Sequence, residues 1–193
     1  MKNIILIILV LLSSCGFSQR QNNWRDGHVE LDSIPLTAYE YKERGKRKSA
    51  NGDKQGAIDD YTRAIMVEPT YDTAYHNRGV VRADIGYYKD AILDYTKAIE
   101  INPYFAASYF SRANAKVDLR DNKGALSDYS KAIELNPRFI DPYVNRGVLK
   151  SEMGDYEGEI ADYHLAIKHC EPSVNLYNNL GRALYALERF KES

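Results

Sequence analysis

Residues 72–105 read DTAYHNRGVVRADIGYYKDAILDYTKAIEINPYF, and the same pattern returns 34 residues before and after this stretch. Gly79 is its clearest mark, because the other marks at this spacing also carry a small residue: Gly45, Ala113, Gly147 and Gly181. A tyrosine precedes each mark by four residues, and a second tyrosine follows each of the first four marks by 16 residues. A fixed period of this length predicts a stack of supersecondary units rather than a globule with one centre.

The period sets the limits of the units and of their helices. Within 72–105 we expect helices over 72–84 and about 89–102, joined by a turn at Gly86, since glycine adopts positive φ freely. Prolines 32 residues into the first three units end the second helices. Residues 37–40 form a capping box that opens the first helix. The predicted units are 38–71, 72–105, 106–139 and 140–173, with a partial fifth over 174–193.

This pattern resembles the tetratricopeptide repeat, whose framework residues appear in the second unit as Tyr75, Gly79, Ala91, Tyr95, Ala98 and Pro103. The resemblance covers about 155 of the 193 residues. It implies an all-α fold, a right-handed superhelical solenoid of antiparallel helix pairs with four full units and a partial fifth. It also implies a non-catalytic role in protein–protein recognition. Small residues let two helices approach closely, and the aromatic side chains fill the space beside them.

Two departures from the family pattern carry charge. Glu159 stands where the family packs an alanine, and we expect its carboxylate to reach outward or to find a cation. An arginine and an aspartate also recur 16 residues apart in all four full units, which predicts a structural ion pair between helices. These residues are Arg44, Arg78, Arg112 and Arg146 with Asp60, Asp94, Asp128 and Asp162.

The partial fifth unit has two interpretations. Residues 189–193 are predicted to open another second helix, which would leave Leu180, Leu184 and Leu187 partly uncovered. Solenoids normally cover their last apolar face with a polar capping helix. Either the chain is a fragment of a longer protein with further repeats, which we favour, or this face is an interface that forms an oligomer.

Composition and motifs argue against several function classes. With 26 basic and 27 acidic residues, the net charge of −1 gives no reason to expect nucleic acid as a partner. No zinc-protease, nucleophile-elbow or phosphate-loop motif is present, so we expect neither an enzyme nor a cofactor. His164, His169 and Cys170 are close in sequence, but the last two face different ways on a helix end. We therefore expect no metal site.

The first residues are typical of an export signal. Residues 1–14 combine one lysine with an apolar run over 4–12, which as a helix would rise about 14 Å and is too short for a ~30 Å hydrocarbon core. Leu12-Ser13-Ser14-Cys15 resembles the bacterial lipobox, which implies lipidation of Cys15. The non-acidic Gly16 implies sorting to the outer membrane. The alternative is a later cleavage near residues 17–19, which would release a soluble periplasmic or secreted protein. Residues 15–37 are polar and aperiodic, as in a flexible tether.

The resemblance also implies a concave groove lined by the first helices. Its centre would be apolar, a row of asparagines would suit a peptide backbone, and an acidic row would favour basic ligands. We therefore expect an extended or helical peptide with apolar anchors and some positive charge. The alternative is that these side chains are simply solvated. The candidate residues are Lys42, His76, Asn77, Val80, Asp84, Phe110, Asn114, Asp118, Val144, Asn145, Val148, Glu152, Asn178, Asn179 and Arg182.

Three function classes follow from these observations. The first is a membrane-tethered adaptor that gathers other proteins of the bacterial envelope. The second is a soluble exported binding module, and the third is the recognition part of a larger enzyme or sensor. One subclass of the family is excluded, because Ala107 and Ser111 stand where a clamp for a C-terminal carboxylate needs cations.

Overall fold

The computed structural model describes residues 35–171 and 173–192. The predicted signal peptide, Cys15 and most of the predicted tether lie outside these residues. Within them the chain forms nine α-helices and no strand. In chain order the helices are α1 Ala38–Ala50, α2 Lys54–Val67, α3 Asp72–Asp84, α4 Tyr88–Ile101, α5 Ala106–Asp118, α6 Asn122–Leu135, α7 Ile140–Glu152, α8 Tyr156–His169 and α9 Val174–Glu192.

The helices pair as the period predicts. Each of the first four pairs forms one unit, and each unit packs on the next, so the fold is a tetratricopeptide-type helical solenoid. The core is correspondingly divided into clusters of buried residues strung along the chain. Such a solenoid derives its stability from contacts within units and between neighbours. Among the described helices, none is both long and apolar enough to cross a bilayer.

Local sequence signals explain where helices begin. The capping box is confirmed at α1, where the Thr37 hydroxyl accepts from the Glu40 amide at 3.2 Å and the Glu40 carboxylate accepts from the Thr37 amide at 2.8 Å. At α2, the Asp53 carboxylate accepts from the amide of Gly56. The same aspartate–glycine cap recurs at α6 and α8. Because α4 begins after Tyr87, it has no such cap.

The turns between paired helices need a left-handed residue. Gly52, Gly86 and Gly154 take φ values of 86°, 84° and 85°. In the third unit Arg120 occupies this place with a φ of 63°, a conformation that L-residues rarely adopt. The third turn therefore carries strain that the other three avoid.

The small residue at each repeat mark permits close packing of the paired helices. A Cβ added at Gly79 would lie 2.7 Å from Cε1 of the Tyr95 ring, which is closer than carbon atoms pack. At Gly45 the corresponding distance to the ring of Tyr61 is 3.0 Å. The tyrosines on this ruler are therefore packing residues.

The predicted arginine–aspartate ion pair is confirmed in all four units. In the second unit, Nε and Nη2 of Arg78 donate to the two carboxylate oxygens of Asp94 at 3.0 and 2.7 Å. A second cation, Arg82, donates to the same carboxylate at 2.7 Å. Nη1 of Arg78 donates to the hydroxyl of Thr62 in the preceding unit at 3.0 Å. This set joins the helices of one unit and also joins that unit to its neighbour.

The expectation for Glu159 is wrong. Its side chain is 9% exposed, and it makes no ion pair with any described residue. Instead it accepts a hydrogen bond at 3.0 Å from the hydroxyl of Tyr163, one helical turn further along α8. The reason is geometric, because this repeat position faces the paired helix and a residue four positions on lies on the same face.

The expectation of another second helix at residues 189–193 is also wrong, since α9 continues unbroken from Val174 to Glu192. Glu188 occupies the position at which other units carry a turn glycine, and glutamate favours the helix. Leu184, one of the leucines expected to be partly uncovered, is 44% exposed. The end of α9 is held by an ion pair of 3.4 Å between Lys191 and Glu157.

Candidate functional site

The first helices of neighbouring units lie side by side, α1 against α3 and α3 against α5. We call the side that carries the predicted binding residues the groove face. Two open cavities lie on this face in its C-terminal half. Cavity A, of about 270 Å³, lies between α5 and α7 and is lined in part by Asn114, Asp118, Asn145, Val148 and Glu152.

Cavity B, of about 460 Å³, lies between α7, α8 and α9. Its lining includes Val148 and Glu152, which it shares with cavity A, so the two form one continuous strip. Further wall residues are Glu159, Tyr163, Asn179 and Arg182. The structure therefore brings together seven of the predicted groove residues: Asn114, Asp118, Asn145, Val148, Glu152, Asn179 and Arg182.

The amide groups in cavity A are already ordered by the protein. Oδ1 of Asn114 accepts from the Tyr129 hydroxyl at 2.6 Å and from Nδ2 of Asn145 at 3.1 Å. Burial raises the pKa of Tyr129 to about 12, so its hydroxyl stays protonated and donates. This arrangement leaves Nδ2 of Asn114 and Oδ1 of Asn145 to pair with a ligand backbone.

The acidic row has two environments. Asp84 pairs with Lys54 of the preceding unit at 2.9 Å, and both side chains are well exposed. Asp118 and Glu152 are exposed and form no ion pair within the described residues. These two carboxylates flank cavity A and give it a negative edge.

His76 serves the junction between the second and third units. Its Nδ1 lies 2.9 Å from the hydroxyl of the buried Ser108, and its ring centre lies 4.8 Å from that of Phe105. Burial lowers the pKa of His76 to about 4, against a smaller opposing effect of Asp72. The imidazole is therefore neutral near pH 7.

Most of the predicted apolar centre lies between units. Phe110 packs its ring edge-on against Phe139, with ring centres 5.0 Å apart. Val80, Val117 and Val144 also pack against buried clusters. Val148, by contrast, is 42% exposed, and it is the apolar anchor that the groove offers to a ligand.

The remaining predicted residues lie away from the two cavities. Lys42 forms an ion pair of 2.6 Å with Glu43 and lies 4.4 Å from the ring centre of Tyr39. Asn77 is half-buried on α3. Asn178 lines a shallow depression with Tyr177 on α9.

Comparison with known proteins adds the family to this geometry. The tetratricopeptide repeat family matches residues 72–105 and 106–139, which are the second and third units. The chain is a tetratricopeptide repeat (TPR) protein. Members of the family are generally non-catalytic scaffolds. No curated protein sequence matches the chain.

Solved TPR structures superpose on most of the chain. The MamA protein is 25% identical with a TM-score of 0.70, over 80% of this chain and 85% of that one. YrrB, described as a TPR protein with an unusual peptide-binding site, is 20% identical with a TM-score of 0.64, over 78% of each chain. The first TPR of Spaghetti (RPAP3), solved with the HSP90 peptide SRMEEVD, is 23% identical with a TM-score of 0.59, over 66% of this chain and 98% of that one.

Sequence reasoning missed two recurring parts of the TPR framework. Four residues after each framework arginine comes a second cation that reaches the same aspartate: Lys48, Arg82, Lys116 and Lys150. A hydroxyl that accepts from the arginine of the next unit recurs as Thr62, Thr96 and Ser130. Both sets repeat every 34 residues, so the same ruler carried the signal.

Proposed function

We propose that this TPR protein is a non-catalytic interaction module that binds a peptide segment of a partner protein across α5, α7 and α9. The observation that carries the proposal is the continuous strip formed by cavities A and B, which share Val148 and Glu152. The peptide complex and the peptide-binding site named for the two similar TPR structures support the same class of ligand.

The strip suggests the chemistry of the peptide. The apolar surface of Val148 offers an anchor for an apolar side chain, and the free amide groups of Asn114 and Asn145 offer partners to its backbone. Asp118 and Glu152 favour basic residues beside that anchor. A segment with one apolar anchor and flanking lysine or arginine fits these features.

A phage-displayed random peptide library tests this proposal. Peptides selected on the protein are expected to bind the Asp118→Lys/Glu152→Lys variant about tenfold more weakly or less, because both charges oppose a basic ligand. The matched control is Glu100→Lys/Glu134→Lys, which reverses two exposed charges on α4 and α6. Equal binding to all three proteins, or no selected peptide, contradicts the proposal.

We further propose that the protein works at the outer membrane, anchored by lipid on Cys15. The support is the sequence Leu12-Ser13-Ser14-Cys15 after a short apolar run. One acyl chain binds a membrane only marginally, whereas several chains anchor a protein stably. Mass spectrometry of the mature N-terminus is expected to show lipidated Cys15, and globomycin is expected to block processing. An unmodified N-terminus near residue 19 would instead indicate a soluble periplasmic or secreted module.

A further inference from the structure

Glu159 breaks the rule that its repeat position follows elsewhere. The equivalent residues Ala57, Ala91 and Ala125 are fully buried methyl groups between paired helices. A carboxylate in this place is costly, since burying a charge without an opposite charge opposes folding. Breaks of a local rule of this kind concentrate at functional positions.

The carboxylate is oriented toward cavity B. Oε1 of Glu159 accepts from the Tyr163 hydroxyl at 3.0 Å, whereas Oε2 has no donor within the described part of the chain. No enclosed side-chain oxygen of the described residues lacks a hydrogen bond, so Oε2 is open to the cavity that Glu159 lines. The result is an anionic acceptor on a side chain that is 91% buried, at the wall of an open cavity.

The framework does not require this carboxylate. In the third unit the equivalent hydroxyl, that of Tyr129, bonds to Asn114 while Ala125 keeps its methyl group. In the second unit the Tyr95 hydroxyl is served by Ser111. The amide of Asn179 lines cavity B and could serve Tyr163 in the same way. The hydroxyl of Tyr163 therefore does not explain the charge on Glu159.

The other charges of cavity B favour a cation. Glu152 contributes a second carboxylate and Arg182 a single guanidinium, so the lining carries a net charge of −1. Arg182 is exposed on α9 and forms no ion pair within residues 35–171 and 173–192. Its side chain is thus free to move aside for a ligand.

We propose that cavity B is a specificity pocket that takes the side chain of an arginine or lysine of the bound peptide, with Glu159 as its acceptor. This inference rests on the proposed peptide-binding function. A cation pairing with a carboxylate that is nearly shielded from water makes a stronger bond than one at the exposed Asp118 or Glu152. The pocket therefore fixes the register of the peptide, while the exposed carboxylates attract it.

The first experiment uses a small neutral-ended probe, acetyl-arginine methylamide, followed by NMR on the full chain. Saturable shifts are expected at Ser151, Asn179 and Ala183 in the wild type, and their loss is expected in Glu159→Ala. That variant restores the residue of the other three units, so it should fold normally. Glu159→Gln keeps the bond from Tyr163 but removes the charge, and it should lose the response as well. Acetyl-citrulline methylamide is the uncharged control ligand. Equal shifts in Glu159→Ala, or no saturable shift in the wild type, would overturn the inference.

The second experiment separates this inference from the proposed function. Peptides selected on the wild type should carry arginine or lysine at one fixed position, and replacing it by citrulline or acetyl-lysine should weaken binding about tenfold or more. Glu159→Ala should be insensitive to that replacement. Selected peptides without a basic preference would overturn the pocket and leave the proposed function standing. If no peptide is selected, the proposed function fails and the pocket fails with it.

Discussion

Gly79 and Gly181 occupy the same repeat position in opposite surroundings. Gly79 lies on α3 under the ring of Tyr95, which belongs to the paired helix α4. Gly181 lies on α9, and no atom of the described residues would come within 4 Å of a Cβ added there. The residues that face Asp94 are cations in the second unit, whereas α9 carries Leu180 and Leu184 at the equivalent positions. The same sequence mark therefore reports close packing only where a second helix is present.

Removing the charge that closes the second unit should have the largest effect. Asp94 is 3% exposed and accepts from both Arg78 and Arg82. Asp94→Ala leaves two poorly solvated guanidinium groups without a counter-charge, and we expect a loss of about 3–5 kcal/mol in the free energy of unfolding. Urea denaturation measures this loss. The control is Glu100→Ala, which removes an exposed pair and should cost less than about 1 kcal/mol. Equal losses would contradict the structural role of Asp94.

Acid should weaken the closed region through His76. Folding lowers the pKa of His76 to about 4, so its neutral form is favoured. The stabilisation is complete above pH 6.5 and is lost as the pH falls from there toward 4, by up to about 3 kcal/mol. His76→Phe, which copies Phe110 in the next unit, should remove this part of the pH dependence. Denaturation curves at pH 7 and pH 4.5 compare the two proteins, and the exposed His164 near α9 provides a control in His164→Phe. Parallel losses in wild type and His76→Phe would refute the assignment.

A single methyl group added to each glycine tests the comparison directly. Gly79→Ala should destabilise by about 1–3 kcal/mol, because its Cβ overlaps the Tyr95 ring. Gly181→Ala meets no neighbour and should stabilise α9 by up to about 1 kcal/mol through helix propensity. Thermal denaturation followed by circular dichroism gives both values. If both variants shift in the same direction, the described difference in packing is not the cause.

The strained turn of the third unit gives the smallest effect. Arg120 has positive φ where the other complete units carry glycine, so Arg120→Gly should stabilise by up to about 1 kcal/mol. Glu188 occupies the same repeat position inside α9, where Glu188→Gly should weaken the helix by a similar amount. Amide hydrogen exchange in each helix resolves the two changes. Loss of stability in Arg120→Gly would show that its side chain makes a compensating contact.

The periodic part of the fold was accessible from the sequence because each framework residue recurs. The α3 helix spans the predicted residues 72–84, and the arginine–aspartate pairs form as expected. Residues that break the period were not predictable in this way. The path of Glu159 depends on Tyr163 and on an open cavity, and the continuation of α9 depends on the absence of a paired helix among the described residues. The groove is intermediate, since position alone does not separate the buried His76 from the exposed Val148.

The hydroxyl that each framework arginine reaches in the preceding unit also sets how the solenoid responds to force. Arg78, Arg112 and Arg146 tie α3, α5 and α7 to the unit before them. At the last seam, Leu180 and the exposed His164 occupy the two equivalent positions and provide no such tie. Under tension between the ends of the stack, α9 therefore peels away first, and the polar latches hold the four complete units together behind it.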